Sequence, residues 1–341
     1  MERSSGSMFL NSKAFFVLLL ITRLTSATIY PLNADWMVVN DDHLGTRVKN
    51  GDINRIVFLD TESDSFALAF LSTSGANSFY GPDVKFILAV VTHPYGDPTL
   101  WIPVWSANRD RPVGQNSSLQ LDRSSRSLTL RDVDGSLVWT AVTPSKATIA
   151  SAGIDSSGNF VLYDSSNQSV WESFHSPTDT LLPKQALLPG FLLRSALSNS
   201  WASRSGDNTL AAGSSGLAFL MAGKVHWTIS LLQSSNHCDI SAVSHTCSHF
   251  TYALYDISRG LTLQADFSTT HKPAEHSSFC SRTLATHTTL TVLPSSSQTN
   301  GGDQFIRLDW DGALRVYGYS IDSRAWQVKQ ILPLANNTCT G

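Results

Sequence analysis

One short stretch of the chain carries polar and aromatic side chains at every second position. We call these residues the first motif row: Asp155, Ser157, Asn159, Val161 and Tyr163. Because successive side chains of a β-strand point to opposite faces, residues at alternate positions share one face. Asp and Asn supply hydrogen-bonding groups at fixed spacing, and Tyr adds a hydroxyl group to an apolar ring. The row therefore indicates either a solvent-coated strand face or a shallow binding groove.

A hairpin must hold this row, and the chain repeats that hairpin. The stretch LTLRDVDGSLVW (residues 128–139) aligns with FVLYDSSNQSVW (residues 160–171), and each reads as strand, turn and strand closing on Trp. The Asp134-Gly135 pair is a strong turn signal, because it tolerates the positive φ that a tight hairpin requires. Weaker copies of the unit end on Trp227 and Trp326.

These hairpins predict an all-β protein. No long segment shows helical apolar periodicity, and Ser, Gly, Asn and Pro stretches separate the short strands. A single hairpin is marginal in water, so several must share a core. We expect Trp105, Trp139 and Trp171 to fill that core, the alternative being a surface platform. Three prolines in residues 176–190 disfavour a central strand and indicate a boundary there.

The first 27 residues predict a cleaved signal peptide. Arg3 and Lys13 precede the apolar run AFFVLLLI, and TSA offers small residues for cleavage. The run is too short for a membrane span, which needs about 20 residues. No later segment is long enough either, so we expect a secreted chain with no transmembrane segment after cleavage.

The four cysteines are expected to form disulfides in an exported chain. Three connectivities are open for Cys238, Cys247, Cys280 and Cys339, and we favour Cys238–Cys247 as a local clip. A metal site is the alternative, because histidines cluster around Cys238 and Cys247. The spacing is not that of a familiar zinc site, so we expect no metal.

Charge and motifs exclude several classes of function. The formal net charge is −3 without basic runs, which argues against nucleic acid as a partner. Neither a G-x-S-x-G nor an H-E-x-x-H motif occurs, so we expect no enzyme and no cofactor. Sequons at Asn116, Asn167 and Asn336 fit a secreted glycoprotein.

Three stretches resemble a plant family. VWSANRDRPV (104–113) is similar to the W-x-A-N-R-x-x-P signature of the bulb-type lectin domain in S-locus glycoproteins and S-domain receptor-like kinases. VWESFHSPTDTLLPKQ (170–185) resembles the segment that ends the same domain, and FIRLDWDGALRVYGYS (305–320) resembles a strand pair of the second lectin-like unit. Secreted members similar to carrot extracellular-protein-1-like glycoproteins also belong to this family.

The resemblance implies a fold and a domain division. It implies two tandem β-prism II domains, a bulb-type lectin domain over about 35–175 and a degenerate lectin-like domain over about 180–330. Each such domain has three four-stranded sheets around a pseudo-threefold axis, with Trp at the centre.

The resemblance also implies sugar sites. Monocot mannose-binding lectins carry Q-x-D-x-N-x-V-x-Y on each sheet, and the first motif row keeps only Asn159, Val161 and Tyr163 of that pattern. The corresponding residues of the last unit, which we call the second motif row, are Asp309, Asp311, Ala313, Arg315 and Tyr317. Only Asp311 and Tyr317 match there, so the first motif row is the better expected carbohydrate site.

Two functions stay open at this point. The chain is expected either to bind mannose-type glycans or cell wall polysaccharide in the apoplast, or to contact an extracellular protein partner as S-locus glycoproteins do. In the second case it is a secreted module or the truncated ectodomain of an S-domain receptor-like kinase, because the chain lacks the kinase domain and membrane span of signalling relatives.

Overall fold

The computed structural model describes residues 36–41, 43–49, 52–59, 65–73, 84–92, 101–122, 127–143, 147–214, 216–230, 245–270, 286–293 and 303–333. These residues form antiparallel sheets with almost no helix, one 3-10 turn at Ser173–His175 being described, so the all-β prediction is confirmed. No helix within them is long and apolar enough to cross a membrane. The expected signal peptide, Cys238, Cys280, Cys339, Asn336 and the side chain of Cys247 lie outside the description.

The first twelve strands form three antiparallel sheets. One has the order β1-β7-β8-β9, a five-stranded sheet has the order β2-β3-β4-β5-β6, and a third has the order β10-β11-β12. Their bounds are β1 Trp36–Val39, β2 Gly45–Lys49, β3 Asp52–Leu59, β4 Phe66–Ser72, β5 Phe86–Thr92, β6 Ile102–Ser106, β7 Ser118–Asp122, β8 Ser127–Arg131, β9 Leu137–Ala141, β10 Ser151–Ile154, β11 Phe160–Tyr163 and β12 Ser169–Glu172.

The next twelve strands form three more sheets, each of four strands. Their orders are β13-β22-β23-β24, β14-β19-β20-β21 and β15-β16-β17-β18. Their bounds are β13 Thr180–Leu181, β14 Ala186–Leu187, β15 Leu192–Ala196, β16 Ser205–Ala212, β17 Gly216–Met221, β18 Lys224–Ser230, β19 His245–Asp256, β20 Gly260–Thr270, β21 Thr286–Leu293, β22 Gln304–Leu308, β23 Ala313–Ser320 and β24 Ala325–Pro333.

Three tryptophans, one from each of the first three sheets, meet in the first hydrophobic core. Trp105 on β6 is buried, and Trp139 on β9 and Trp171 on β12 are partly buried against the same core. Their ring centroids lie 5.8, 5.8 and 5.6 Å apart in edge-to-face pairs, an arrangement that the aromatic quadrupole favours. The prediction that these residues are core rather than a surface platform is confirmed.

Strands β4 and β5 are buried on both faces. Bulky residues such as Phe66 and Leu88 point into the first core, whereas Ala67, Ala69 and Ala89 occupy the opposite face. Because the alanines are small, a second layer can approach this face closely, and Trp101 and Ala202 pack against it. The five-stranded sheet is therefore covered partly by residues that follow the boundary predicted near Pro177.

Strand β22 contributes to both cores. Phe305 belongs to the first core, whereas the alternate residues Ile306 and Leu308 belong to a second core formed by the later sheets. The period-two alternation of the strand thus divides its side chains between the two groups of sheets. The two groups share this strand as a common wall.

The repeated hairpins use the same five-residue turn. In the first copy Asp132 N–H donates to Ser136 O at 3.0 Å, and in the second Asp164 N–H donates to Gln168 O at 2.9 Å. Gly135 has φ +80° and Asn167, at the equivalent position, has φ +64°. Gly and Asn are the residues that accept this left-handed conformation most readily, which explains why the repeat keeps one or the other here.

A buried ion triad joins the two groups of sheets. The Asp179 carboxylate lies 2.9 Å from Arg109 Nη2 and 3.4 Å from Arg307 Nε, and all three side chains are less than a tenth exposed. Thr180 Oγ1 also donates to Asp179 Oδ1 at 2.7 Å, and Arg307 donates to the carbonyl oxygen of Pro103. Burial alone would raise the pKa of Asp179, but the guanidinium groups of Arg307 and Arg109 outweigh it and hold that pKa below its usual value.

We expect Trp171→Ala to lower the free energy of unfolding by about 3–5 kcal/mol, because the truncation leaves a cavity beside Trp105 and Trp139. Urea unfolding of the purified chain measures this. Val142→Ala is the control, because Val142 is 78% exposed and its truncation should change stability by less than about 0.5 kcal/mol. Equal stability of the two variants would place Trp171 outside the core.

We expect Asp179→Asn to lower the free energy of unfolding at pH 7 by about 3–5 kcal/mol, because two buried guanidinium groups lose their counter-charge. The folded pKa of Asp179 lies below the unfolded value of about 3.9, so its contribution is complete above that value and is lost as pH falls through the folded pKa.

Urea unfolding at pH 7 and near pH 3 tests both statements. The gap between the wild type and Asp179→Asn should narrow at the lower pH, whereas Asp322→Asn, at an exposed turn, should match the wild type at both. A gap that is constant with pH would mean that the ionised carboxylate does not stabilise the fold.

Candidate functional site

The first motif row does not lie on one strand face, which corrects its expected placement. Strand β11 begins at Phe160, and residues 155–159 form the turn that connects it to β10. Asp155 Oδ1 accepts hydrogen bonds from the backbone N–H groups of Ser157 and Asn159 at 2.9 and 3.1 Å. Gly158, at φ +83°, completes the turn. Asp155 thus caps a turn, because its short side chain can reach the backbone two and four residues ahead.

Asn159 is bonded internally through both ends of its amide. Its Oδ1 accepts hydrogen bonds from Ser173 Oγ and from Phe174 N–H, each at 3.1 Å. Its Nδ2 donates to Glu172 Oε2 at 3.0 Å, and the residue is 7% exposed. The amide therefore fastens β11 to the 3-10 turn that follows β12. Its hydrogen-bonding capacity for a ligand is correspondingly small.

The remaining members of the first motif row lie on β11. Val161 is 3% exposed and pairs with Gly153 and Glu172, whereas Tyr163 is half-buried and pairs with Ser151 and Ser169. Of these two residues, only Tyr163 has a polar side-chain group, and its side chain is partly exposed.

The second motif row is built on the same turn. Asp309 N–H donates to Ala313 O at 2.9 Å, as Asp155 N–H donates to Asn159 O in the first motif row. Ala313 is buried, but the other four members line one pocket of about 300 Å³, which we call the motif pocket. It is lined by Ala196, Ser198, Asn199, Ser200, Trp201, Arg307, Asp309, Trp310, Asp311, Arg315 and Tyr317.

Arg315 connects the two carboxylates of the motif pocket. Its Nη1 donates to Asp309 Oδ2 at 2.8 Å and to Asp311 Oδ1 at 2.7 Å, and its Nη2 donates to Asp311 Oδ2 at 2.6 Å. Tyr317 Oη donates to Asp309 Oδ2 at 2.7 Å. Such charge-assisted, partly bidentate bonds fix the donors and acceptors of the pocket before any ligand arrives.

The two carboxylates differ in their electrostatic environment. Burial raises the pKa of Asp309, although hydrogen bonds from Tyr317 and Arg315 oppose it. The hydrogen bonds from Arg315 lower the pKa of the more exposed Asp311. Burial, and then the hydrogen bond to Asp309, raise the pKa of Tyr317, so its phenol keeps its proton at neutral pH. Asp311 is thus the ionised acceptor nearer the solvent.

Two tryptophans supply aromatic surface to the motif pocket. Trp310 is 51% exposed, and its backbone carbonyl accepts a hydrogen bond from Asn208 Nδ2 at 2.9 Å. Trp201 packs edge-on against Tyr317, and Arg307 Cζ lies 4.1 Å from the Trp201 ring centroid. Arg307, a member of the ion triad, therefore also packs against Trp201 on the inner wall of the pocket.

Sequence reasoning identified Asp311 and Tyr317 but missed the tryptophans. Trp310 stands between two aspartates in the turn, and an aromatic residue in a turn was an available signal. Trp201 had no such signal, because it lies about a hundred residues away and reaches the pocket only through the packing of the later sheets.

We expect Asn159→Ala to lower the free energy of unfolding by about 1–3 kcal/mol, because the Ser173 hydroxyl and Phe174 N–H lose their acceptor in a buried place. Gln168→Ala, which removes an exposed amide in the next turn, is the matched control and should be near neutral. Chemical denaturation measures both. If Asn159→Ala is as stable as the wild type, the Asn159 amide does not stabilise the fold and is free to face solvent, as the sequence predicts.

The lectin resemblance is tested by comparison with known proteins. Residues 102–201 match the family described as D-mannose binding lectin. The match includes the Asn108-Arg109 pair of the signature and Asp179 of the ion triad. It ends at Trp201, on the wall of the motif pocket.

Several plant receptor-like kinases are similar to the chain. G-type lectin S-receptor-like serine/threonine-protein kinase At5g24080 of Arabidopsis thaliana is 34% identical over 148 residues, 42% of this chain and 15% of that protein. Kinase LECRK2 of Oryza sativa subsp. japonica is 34% identical over 136 residues, 39% of this chain and 16% of that protein.

A longer similarity extends over most of the chain. Kinase SD3-1 of Arabidopsis thaliana is 25% identical over 304 residues, which is 89% of this chain and 35% of that protein. The chain thus spans about a third or less of the length of these relatives. With the family match, these relatives confirm the resemblance: residues 102–201 match the D-mannose binding lectin family, and the chain is similar to the G-type lectin S-receptor-like kinases of plants.

Proposed function

We propose that the chain is a lectin-like protein that binds a mannose-type glycan or a cell wall polysaccharide through the motif pocket. The observation that carries this proposal is the convergence of two tryptophans, two aspartates, two arginines and a tyrosine on one pocket of about 300 Å³. That volume lies at the lower end of the range for small-ligand sites, about 300–1,000 Å³.

The chemistry of the pocket suits a sugar. A sugar ring offers pairs of hydroxyl groups, which need donors and acceptors at fixed spacing. Asp311 and Arg315 provide them, and their mutual ion pair holds them in place. The exposed face of Trp310 provides an apolar surface for the C–H face of the ring. The site departs from the mannose-binding pattern at Asp309, Ala313 and Arg315, so affinity of about millimolar, near −4 kcal/mol, is expected.

The first motif row is a second, weaker location. Tyr163 and Val161 keep their expected positions on β11, and Ser157 replaces the Asp of the pattern. Because Tyr163 lies partly exposed on β11, we expect it to make the main polar contact there.

We infer that the two groups of sheets are two tandem β-prism II domains over about 35–175 and 180–330. Three features support this division: each group has three sheets, Trp105, Trp139 and Trp171 come from three different sheets, and the same five-residue turn recurs in both groups. The repeated turn is the feature expected when one hairpin unit has been copied around an axis.

We also infer that the chain is a secreted glycoprotein of the cell wall or apoplast. Asn116 and Asn167 are exposed and both occupy left-handed turn positions at φ +64°, where a bulky glycan has room. The leader-like residues 1–27 and the four cysteines suit the same compartment. We assign binding rather than catalysis to this part of the molecule, since its similarity to the kinases is concentrated on their lectin domain.

A protein-interaction role is the second candidate. The internal bonding of Asn159 favours it, because the polar group most typical of a mannose site is occupied by the protein's own side chains. In that case the chain serves as a recognition module, or as part of the ectodomain of an S-domain receptor-like kinase, and its sugar grooves are idle.

A glycan titration separates the two roles. Isothermal titration of the full chain with mannose and with a mannose-rich glycan should show binding that Trp310→Ala and Asp311→Asn weaken by about tenfold, which corresponds to roughly 1.4 kcal/mol. Asp322→Asn removes an equivalent charge from an exposed turn outside the pocket and should bind as the wild type does.

The first motif row is tested in the same way. Tyr163→Ala should remove any binding at that row, because it takes away the expected main polar contact. Flat titrations for the wild type and every variant, together with a blank array of wall polysaccharides, would refute glycan binding and leave protein recognition as the function.

A further inference from the structure

A second pocket lies where the two groups of sheets meet. It has a volume of about 230 Å³, and we call it the junction pocket. It shares only Ser157 with the motif rows. Its lining residues are Phe66, Thr92, Ser156, Ser157, Leu182, Pro183, Lys184, Ile257, Asp303, Gln304, Phe305 and Trp326.

The apolar walls of the junction pocket are closely packed. Phe305 and Trp326 pack with ring centroids 4.9 Å apart, and Phe305 is fully buried in the first core. On the opposite side the backbone of Gly158 approaches so closely that an added Cβ would lie 2.6 Å from Phe66 and 2.7 Å from Leu182. Strand residues from both groups thus form part of the pocket wall, and turn residues complete it.

One buried polar atom of the junction pocket lacks a partner. Thr92 is 1% exposed, and its Oγ1 has no hydrogen-bond partner in the described part of the chain. A buried hydroxyl group without a partner destabilises a protein, and native structures satisfy most such groups. A hydroxyl group on the wall of a pocket in this state is suited to a ligand that brings the missing acceptor.

One cationic and one acidic side chain line the junction pocket, Lys184 and Asp303. Lys184 is exposed at the rim, and no side-chain partner of its ammonium group is found among the described residues. Its backbone is held in the left-handed region at φ +71°, with its N–H donating to Tyr255 O at 2.8 Å. Asp303 on the wall already has an interaction within the protein. Lys184 is therefore the charged side chain of the pocket for which the described residues supply no partner.

Aromatic packing, an unsatisfied hydroxyl group and a cation at the rim define one kind of ligand. We propose that the junction pocket binds a small amphipathic carboxylate, with an apolar, preferably aromatic, body against Phe305 and Trp326. Its carboxylate pairs with Lys184, and an acceptor atom of the ligand receives the hydrogen bond of Thr92 Oγ1. This site is separate from the glycan site proposed above, because the junction pocket and the motif pocket share no lining residue and only Ser157 also belongs to the first motif row.

The test is a titration of the full chain with 3-phenylpropionate, in which binding is measured by calorimetry or by ligand-observed NMR. The matched probe 3-phenylpropylamine has the same ring and the opposite charge, and we expect it to bind at least about tenfold more weakly. Lys184→Met should weaken 3-phenylpropionate binding by about tenfold, whereas Lys224→Met, at an exposed position of β18, should leave it unchanged.

Thr92→Val should change the stability of the protein and its affinity for the ligand in opposite directions. The variant removes the unsatisfied hydroxyl group, so the ligand-free protein should melt at a higher temperature while 3-phenylpropionate binds several-fold more weakly. Absence of binding, equal affinity for the acid and the amine, or wild-type affinity of Lys184→Met would overturn the proposal. None of these results depends on whether the chain binds glycans.

Discussion

The buried carboxylate of Asp179 is the interaction on which the joining of the two groups of sheets depends. It is the shared counter-ion of Arg109 from the first group and Arg307 from the second, in a place with little access to water. The two guanidinium groups hold the pKa of Asp179 low, so the ionised form is kept in the interior. Replacing such a network by apolar residues can preserve stability, but removing one member leaves an unmatched charge, which is far more costly.

The ion triad also explains why three distant signature stretches occur in one chain. Arg109 lies in VWSANRDRPV, Asp179 in VWESFHSPTDTLLPKQ and Arg307 in FIRLDWDGALRVYGYS, so the three stretches meet at one buried point. Arg307 also links the ion triad to the candidate site, because its guanidinium group lies over Trp201 on the wall of the motif pocket. The packing of the groups and the shape of the candidate site are thus set by the same side chain.

The two motif rows show how one turn can serve different purposes. In the first motif row the turn residues satisfy one another, and Asn159 fastens the neighbouring strand through Ser173 and Phe174. In the second motif row Ala313 cannot make those bonds, and Arg315 instead holds Asp309 and Asp311 at the wall of an open pocket. The row closer to the mannose-binding pattern is therefore the more closed one. Resemblance to a motif and availability to a ligand are separate properties, since hydrogen-bonding capacity already used within the protein is lost to a ligand.

The sequence by itself determined the all-β class, the hairpin repeat and the tryptophan core, because these follow from period-two patterns, turn residues and local spacing. Three short stretches of the sequence also carried the resemblance to the lectin family. The sequence placed the first motif row on one strand face, which was wrong at residues 155–159, since the cap from Asp155 and the positive φ of Gly158 turn the chain there. Only the tertiary structure decided that Trp201 joins Trp310 at the motif pocket, that Asn159 is bonded internally, and that Thr92 and Lys184 face one junction pocket. These contacts join residues far apart in the chain, and no periodicity records which distant side chains the packing of two groups of sheets will bring together.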